Sequence, residues 1–313
     1  MENKRILVLG GNGFIGAHLV EALAEAGARL RVLDRPGSLP PAPVPRVEYR
    51  YGNFSDIATV AESLVDMEWV IHLISTTVPG TANRDPIADI EGNLVGSVRL
   101  LQQMCGAGVP KLLFLSSGGT VYGNTKALPI PEDHARNPLS SYGIVKVAIE
   151  NYIGMYATLF GLEALVLRVS NPYGPRQSHL GVQGVIPTFF HRILSGDKIK
   201  IWGDGASLRD YLYISDLISF IVGAINADLG GVFNVGSGQG VSAKEILSLV
   251  ADISGAAPAV EYLPARGFDV KDVVLDIAKA KQAFGWSPQV SLRSGCETYW
   301  RWLHRCGARP EHA

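Results

Sequence analysis

The sequence predicts an α/β protein in which a doubly wound parallel sheet carries a smaller C-terminal α/β lobe. Three observations lead there. Short apolar runs such as Ile6-Leu7-Val8-Leu9 alternate with longer amphipathic segments, as in strand–helix–strand units whose strands are buried on both faces. A glycine-rich turn, Gly10-Gly11-Asn12-Gly13-Phe14-Ile15-Gly16, closes the first run. After Arg168 the alternation stops at Asn171-Pro172-Tyr173-Gly174-Pro175, a break that opens a differently patterned half.

Strands are expected over 5–9, 30–34, 47–51, 69–73, 111–116 and 163–168, with helices beginning near Phe14, Ile57, Asp89 and Ser140. From Asp89 onward Leu94, Val98, Leu101 and Cys105 recur at helical spacing and give that helix an apolar face. The proline-rich stretch 36–45 reads as a surface connection. Beyond the break a helix is expected near 186–195, a short strand over 199–202, a loop at Gly203-Asp204-Gly205, and helices over 215–226, 243–254 and 292–304.

The 313 residues are enough for a large core. A formal net charge of −1 with 18% charged residues leaves no basic footprint for nucleic acid. Cys105, Cys296 and Cys306 have no metal-ligand spacing and fit packing thiols in a reducing compartment, so no metal is expected. No basic stretch followed by an apolar one opens the sequence, and no run reaches the roughly 18 apolar residues of a membrane span. A cytoplasmic protein without a membrane partner is expected.

Glycines at 10, 13 and 16 between a strand and a helix can hold a pyrophosphate. Gly10 permits the tight turn, Gly13 lets the backbone approach the phosphates, and Gly16 lets helix and strand pack closely. The helix N-terminus then offers unpaired N–H groups to an anion, with Phe14 and Ile15 flanking it. Asp34 ends the second strand, where a carboxylate accepts hydrogen bonds from the adenosine ribose and repels a 2′-phosphate. NAD is thus favoured over NADP, a preference the adjoining Arg35 can soften. Asn53 and Phe54 follow the third strand and are candidates to line the adenine. Residues 1–170 read as an NAD-binding domain of the Rossmann type, to which segments over about 205–235 return; 171–313 read mainly as a substrate-binding lobe.

The second motif is Tyr142-Gly143-Ile144-Val145-Lys146, a phenol and an ammonium one helical turn apart. A free phenol, with a pKa of about 10, is a poor base. A neighbouring ammonium favours the phenolate, and an oxidised nicotinamide adds to that. Tyr142 can then take a proton from a sugar hydroxyl while hydride leaves the same carbon.

With these motifs in register, the sequence resembles the extended short-chain dehydrogenases/reductases over nearly its whole length, and most closely the nucleotide-sugar 4-epimerases of the UDP-glucose 4-epimerase type. The matching segments are Gly10 to Gly16, His72-Leu73, Asn93-Leu94-Val95-Gly96, Ser116-Ser117-Gly118-Gly119-Thr120-Val121-Tyr122-Gly123, Tyr142 to Lys146, Asn171-Pro172-Tyr173-Gly174, Arg209-Asp210-Tyr211 and Arg266-Gly267-Phe268-Asp269. The resemblance implies a UDP-hexose or UDP-N-acetylhexosamine substrate oxidised transiently at C4 by tightly held NAD. It places Leu73, Ile74, Ser75, Asn93, Ser116, Pro172 and Tyr173 beside the cofactor, with Lys146 on the nicotinamide ribose. Thr77, Asn171, Arg209, Arg266 and Asp269 fall beside the substrate, the two arginines on its diphosphate. Gln183, Gly184 and Val185 mark the uracil neighbourhood. It also implies a homodimer through helices over 89–107 and 140–160.

Two departures matter. Family epimerases carry Ser or Thr where this chain has Gly118, so the third catalytic hydroxyl falls to Thr120, with Ser117 the other candidate. Sugar dehydratases carry an Asp-Glu pair where this chain has Gly119-Thr120, which excludes dehydration. Val273 stands where hexose-restricted relatives can have a tyrosine, which makes room for a 2-acetamido group. His179 and Arg176 are positioned to meet a sugar carboxylate, so a UDP-uronate 4-epimerase or another nucleotide-sugar oxidoreductase is an alternative. The alternative of another class is a non-catalytic NAD-sensing protein.

Overall fold

The computed structural model describes residues 1–177, 184–267 and 269–306. The first half runs β1 (Arg5–Leu9), α1 (Phe14–Glu25), β2 (Arg29–Asp34), β3 (Glu48–Tyr51), α2 (Ile57–Leu64), β4 (Trp69–His72), α3 (Pro79–Ala82), α4 (Pro86–Asp89), a π-helical turn (Ile90–Val95), α5 (Gly96–Ala107), β5 (Lys111–Ser117), α6 (Ser141–Phe160) and β6 (Glu163–Val169). The second runs β7 (Asn171–Tyr173), α7 (Val185–Ser195), β8 (Ile199–Trp202), β9 (Leu208–Tyr213), α8 (Ile214–Asn226), β10 (Gly231–Val235), β11 (Gly240–Ser242), α9 (Ala243–Ser254), β12 (Val260–Leu263), α10 (Ala278–Phe284) and α11 (Leu292–Cys306).

The main sheet is parallel, in the order β10-β6-β5-β4-β1-β2-β3. The order reverses between β1 and β4, and the crevice beyond the strands' carboxyl ends at that point is where a nucleotide can lie. Apolar residues on both faces explain why these strands sit centrally: Ile6, Leu7, Val8 and Leu9 are fully buried. Ile6 and Val8 pack with Leu19, Leu23, Leu217 and Phe220 of α1 and α8. Leu7 and Leu9 face Val60, Leu101, Ile149 and Ile153 of α2, α5 and α6. Burying each such side chain contributes about 1.5–3 kcal/mol.

Local chemistry sets the helix ends. Asp56 caps α2 by accepting the Ala58 N–H, and Ser140 caps α6 by accepting the Gly143 N–H. Gly161, at φ +68°, ends α6 in the left-handed conformation.

The helix expected from Asp89 is not one regular helix. It divides into α4, the π-helical turn and α5, and the rotation lets Gly92 and Gly96 meet their neighbours without side chains. A Cβ at these positions would lie 2.7 Å from Thr76 Oγ1 and 2.8 Å from Phe54 Cε1. Of the expected apolar stripe Leu101 is buried in the protein's own core, Leu94 and Val98 are half-buried and Cys105 is exposed.

The smaller lobe holds a β11-β9-β7 sheet and a β12-β8 pair around Tyr173, Phe189, Phe190, Ile199, Ile246 and Tyr299. The Asn171 break contains an edge strand, β7, a place where Pro172 is tolerated because one side of the strand has no pairing partner. β10 returns to the main sheet beside β6. No described helix is long and apolar enough to cross a membrane. No cluster of three or more metal-ligating side chains occurs among the described residues.

Candidate active site

A cavity of about 400 Å³ opens between the carboxyl edge of the sheet and the smaller lobe. At its sheet end lies the glycine turn. Gly10 adopts φ +83°, and a Cβ on Gly16 would stand 2.3 Å from the Gly10 carbonyl oxygen. Gly13 occupies the N-cap of α1 with no side chain over the helix end, so the first N–H groups remain available to an anion. Phe14 and Ile15 line the cavity directly beyond it. Ile74 supports the turn from below, its Cγ1 lying 3.3 Å from where a Gly10 Cβ would be, and Leu73 is partly buried in the adjoining core.

Asp34 is fixed at the rim. Its Oδ2 accepts the Asn12 N–H at 2.9 Å and its Oδ1 the Arg35 N–H at 2.8 Å, so the carboxylate stands beside the glycine turn and opens to solvent. Arg35 is exposed. This cradle, open at the helix end and closed to any Cβ at Gly16, fits a dinucleotide pyrophosphate with its ribose toward Asp34. A Gly16→Ala variant is therefore expected to lose bound nucleotide more than tenfold and to melt at lower temperature. Both are measurable from the absorbance of the purified protein and its thermal unfolding.

Tyr142 and Lys146 project from the first turns of α6. The Lys146 ammonium donates to the Leu115 carbonyl at 2.9 Å and stands 5.6 Å from the Tyr142 ring centre and 4.6 Å from that of Phe114. Burial lowers Lys146 to about 8, opposed by the charges of Glu150 and Asp89. Burial raises Tyr142 to about 12; hydrogen bonding to Ser75 works against this, and Asp89 adds to it. The protein alone therefore holds the phenol protonated.

Gly118 has a steric explanation. A Cβ there would sit 2.5 Å from Leu275 Cδ1 and 3.0 Å from the Arg168 carbonyl oxygen. The hydroxyl expected nearby is available elsewhere: Thr120 Oγ1 is buried, has no partner, and belongs to a residue lining the cavity. Ser117 also lines it. Ser116 lines it too, but its hydroxyl donates to Glu150 Oε1.

On the substrate side Asn171, Pro172, Gly184, Val185, Arg209, Arg266 and Asp269 all border the cavity. Asn171 donates to the Asp210 carbonyl at 2.9 Å. The Arg209 guanidinium donates to the carbonyls of Leu208, Val270 and Lys271, which fastens the segment carrying Asp269 against β9. Arg266 Nε bonds Asp269 Oδ2 at 2.9 Å, and its guanidinium lies 5.1 Å from the Trp202 ring centre.

Other expected residues sit elsewhere. Phe54, half-buried, packs against His72 at 5.1 Å between ring centres and fills the space left by Gly96, while exposed Asn53 accepts the Ser55 N–H through Oδ1; like Asp34, both stand outside the lining of this cavity. Tyr173 is 2% exposed, a core side chain whose hydroxyl donates to the Leu292 carbonyl. Val273 is 1% exposed in a core cluster with Val121, Tyr122 and Leu275, and it is Val270 that borders the cavity. Thr77 and Asn93 both donate to Asp89, and Asn93 Oδ1 accepts the Thr76 N–H, so they brace the loop after β4. Arg176 pairs with Glu21 of α1 at 2.8 Å. Gln183, His179 and Phe268 lie outside the described residues.

Sequence reading missed Ser170 and Gln177, which border the cavity with a buried Oγ and Oε1 lacking partners. Their only signal was proximity to Asn171.

Compared with known proteins, residues 6–236 match the model of the NAD dependent epimerase/dehydratase family. A UDP-glucose 4-epimerase of Mycolicibacterium smegmatis is 36% identical over 305 residues, covering 93% of this chain and 96% of the relative. A Thermotoga maritima UDP-glucose 4-epimerase solved with UDP-glucose superposes with a TM-score of 0.90 at 36% identity, covering 96% of this chain and 99% of the other. The Thermus thermophilus UDP-glucose 4-epimerase solved with NAD gives a TM-score of 0.90 at 33% identity, with the same coverage of 96% and 99%.

Proposed function

Because the chain belongs to the NAD-dependent epimerase/dehydratase family, we propose that it is a nucleotide-sugar 4-epimerase acting on a UDP-hexose or UDP-N-acetylhexosamine. NAD is its cofactor. When bound, NAD would supply the hydride acceptor and donor for the sugar's C4. The observation carrying the proposal is the convergence of Tyr142, Thr120 and Phe14-Ile15, the residues directly after the glycine at the N-cap of α1, on one cavity, with Gly119 beside Thr120 where a dehydratase needs acid and base.

In this reading the Tyr142 hydroxyl exchanges a proton with the C4 oxygen. Thr120 Oγ1, the unpartnered buried hydroxyl, hydrogen-bonds that oxygen. Lys146, charged below about pH 8, stabilises the phenolate and binds the nicotinamide ribose. Gly13 and the N-terminus of α1 hold the pyrophosphate, and Asp34 the adenosine ribose. Arg209 and Arg266 hold the diphosphate, whose linkage serves as the pivot for turning the 4-keto sugar. Asn171 steadies it. Thr120→Val is expected to lower kcat at least tenfold with little change in KM, whereas Ser117→Ala changes it less; the reverse order would transfer the role to Ser117.

The deciding experiment incubates purified protein, with no NAD added, with UDP-glucose, UDP-galactose, their 2-acetamido counterparts and UDP-uronates. The expected result is interconversion of C4 epimers without net NADH. NADH formed only with added NAD would indicate net oxidation, and nucleotide binding without any product would indicate a sensor. For the uronate alternative, Arg176 pairs with Glu21 through Nη2 while its Nη1 is buried without a partner, a donor left for an acid group. Val270 rather than Val273 borders the cavity.

A homodimer is part of the same reading. α6 exposes Ile144, Tyr152, Met155 and Leu159, the last by 65%, an apolar strip fit for a second copy. The wild type should sediment as a dimer, and an Ile144→Glu/Leu159→Glu double variant as a monomer.

A further inference from the structure

α4 ends in Asp89, whose side chain has no exposed surface. Three donors from three segments share its carboxylate. Thr77 Oγ1, from the loop after β4, donates to Oδ1 at 2.6 Å, and Asn93 Nδ2, from the π-helical turn, donates to the same oxygen at 2.9 Å. Ser141 Oγ, at the first residue of α6, donates to Oδ2 at 2.6 Å. Ser141 immediately precedes Tyr142, and its N–H is held by Asn83 Oδ1 at 2.8 Å. Among the described residues no salt bridge is formed to Asp89, although isolating a carboxylate from water is costly unless its lone pairs are satisfied. A π-helical turn beside such a group is itself a frequent mark of a functional site.

We propose that Asp89 is a positioning and charge-balancing residue for Tyr142, tying the first turn of α6 to the loop after β4 and setting a fixed negative charge beside the Tyr142–Lys146 pair. The inference rests on the reading of Tyr142 as the proton-transferring group. The groups facing that phenol are few. Lys146 stands on its own helix with Glu150 one turn beyond, Asp89 ends α4, and the Ser75 hydroxyl reaches it from the loop after β4. His72 on β4 stays neutral, pushed down to about 3 by burial and by Lys146. Asp89 therefore acts in two directions at once: it favours the charged form of Lys146 and disfavours that of Tyr142. With Lys146 and Asp89 opposed, the cofactor-free site has no surplus positive charge to hold a phenolate. Deprotonation of Tyr142 would need a further positive charge, which an oxidised nicotinamide would supply when bound, coupling the base to cofactor occupancy.

The test uses cofactor-free protein and the ultraviolet absorbance of tyrosinate, with the contribution of Tyr142 taken as the difference from Tyr142→Phe. Wild type is expected to show no Tyr142 step below about pH 11. Asp89→Asn, which keeps the shape and removes the charge, should bring the step down by about one unit or more, and Asp89→Glu should restore the wild-type curve. A folded Asp89→Asn protein whose curve matches wild type overturns the proposal. Should Asp89→Asn fail to fold, Ser141→Ala decides: it cuts the tie to α6 and leaves the charge, so kcat in the NAD-loaded enzyme should fall about tenfold with KM unchanged. An unaltered kcat overturns the positioning role. Tyr142→Phe that keeps its turnover removes the underlying reading of Tyr142 instead, whereas an inactive Tyr142→Phe with an unshifted Asp89→Asn removes only the inference about Asp89.

Discussion

Replacing Tyr142 with Phe is expected to lower turnover by about 10³-fold while leaving the fold and the bound NAD in place. General acid–base groups contribute roughly 10²–10⁴-fold, and here one hydroxyl would both take and return the proton at C4. The variant keeps the ring that faces the Lys146 ammonium at 5.6 Å, so little packing is lost. Epimer formation from a UDP-sugar, together with nucleotide content and melting temperature, separates loss of chemistry from loss of structure. Activity above about a tenth of wild type would require another proton carrier.

The largest effect on stability should come from Arg168→Ala. Arg168 on β6 is 4% exposed, and its Nη2 stands 2.7 Å from Glu150 Oε2. The same guanidinium donates to the Tyr122 hydroxyl at 2.9 Å and to the Glu132 carbonyl at 2.8 Å, and Tyr122 in turn donates to Asn234 Oδ1 at 2.6 Å. Removing one partner of a buried ion pair typically costs about 3–5 kcal/mol, because the other charge stays buried without compensation. Arg136, 3.1 Å from Glu150 but partly exposed, offsets only some of this. Urea unfolding should show the loss, and an Arg168→Met/Glu150→Gln double variant should recover most of it. A single variant weakened by less than about 1 kcal/mol would mean that water or Arg136 replaces the pair. Ser116 also donates to Glu150, so this network reaches the cavity wall as well as the core.

Much of the fold was legible because its signals are local. The turn from β1 into α1 requires a glycine at Gly10, where φ is +83°, and the strands at the centre of the sheet are apolar on both faces. The strand predicted over 5–9 and the helix starts at Phe14 and Ile57 agree with the structure. Legibility failed where a segment's conformation depends on a distant partner. β7 was read only as a break, because its pairing with β9 lies in residues far along the chain. The π-helical turn was invisible because it depends on Gly92 and Gly96 meeting Thr76 and Phe54. Within the site, Tyr142, Lys146 and the glycines could be named in advance, since their roles follow from spacing along one helix or one turn. Tyr173 and Val273 were placed at the cavity by position in a motif, and packing put their side chains in the core.

The sequence by itself determined the class of fold, the dinucleotide cradle and the phenol–ammonium pair, because each is written in a few consecutive residues and needs only local geometry. Tertiary structure alone decided which hydroxyl is free at Thr120, why Gly118 has no room for one, that Val270 rather than Val273 meets the cavity, and that Asp89 stands behind Tyr142. Those properties depend on which atoms lack a partner or a space once distant segments close together, and spacing along the chain carries no record of that.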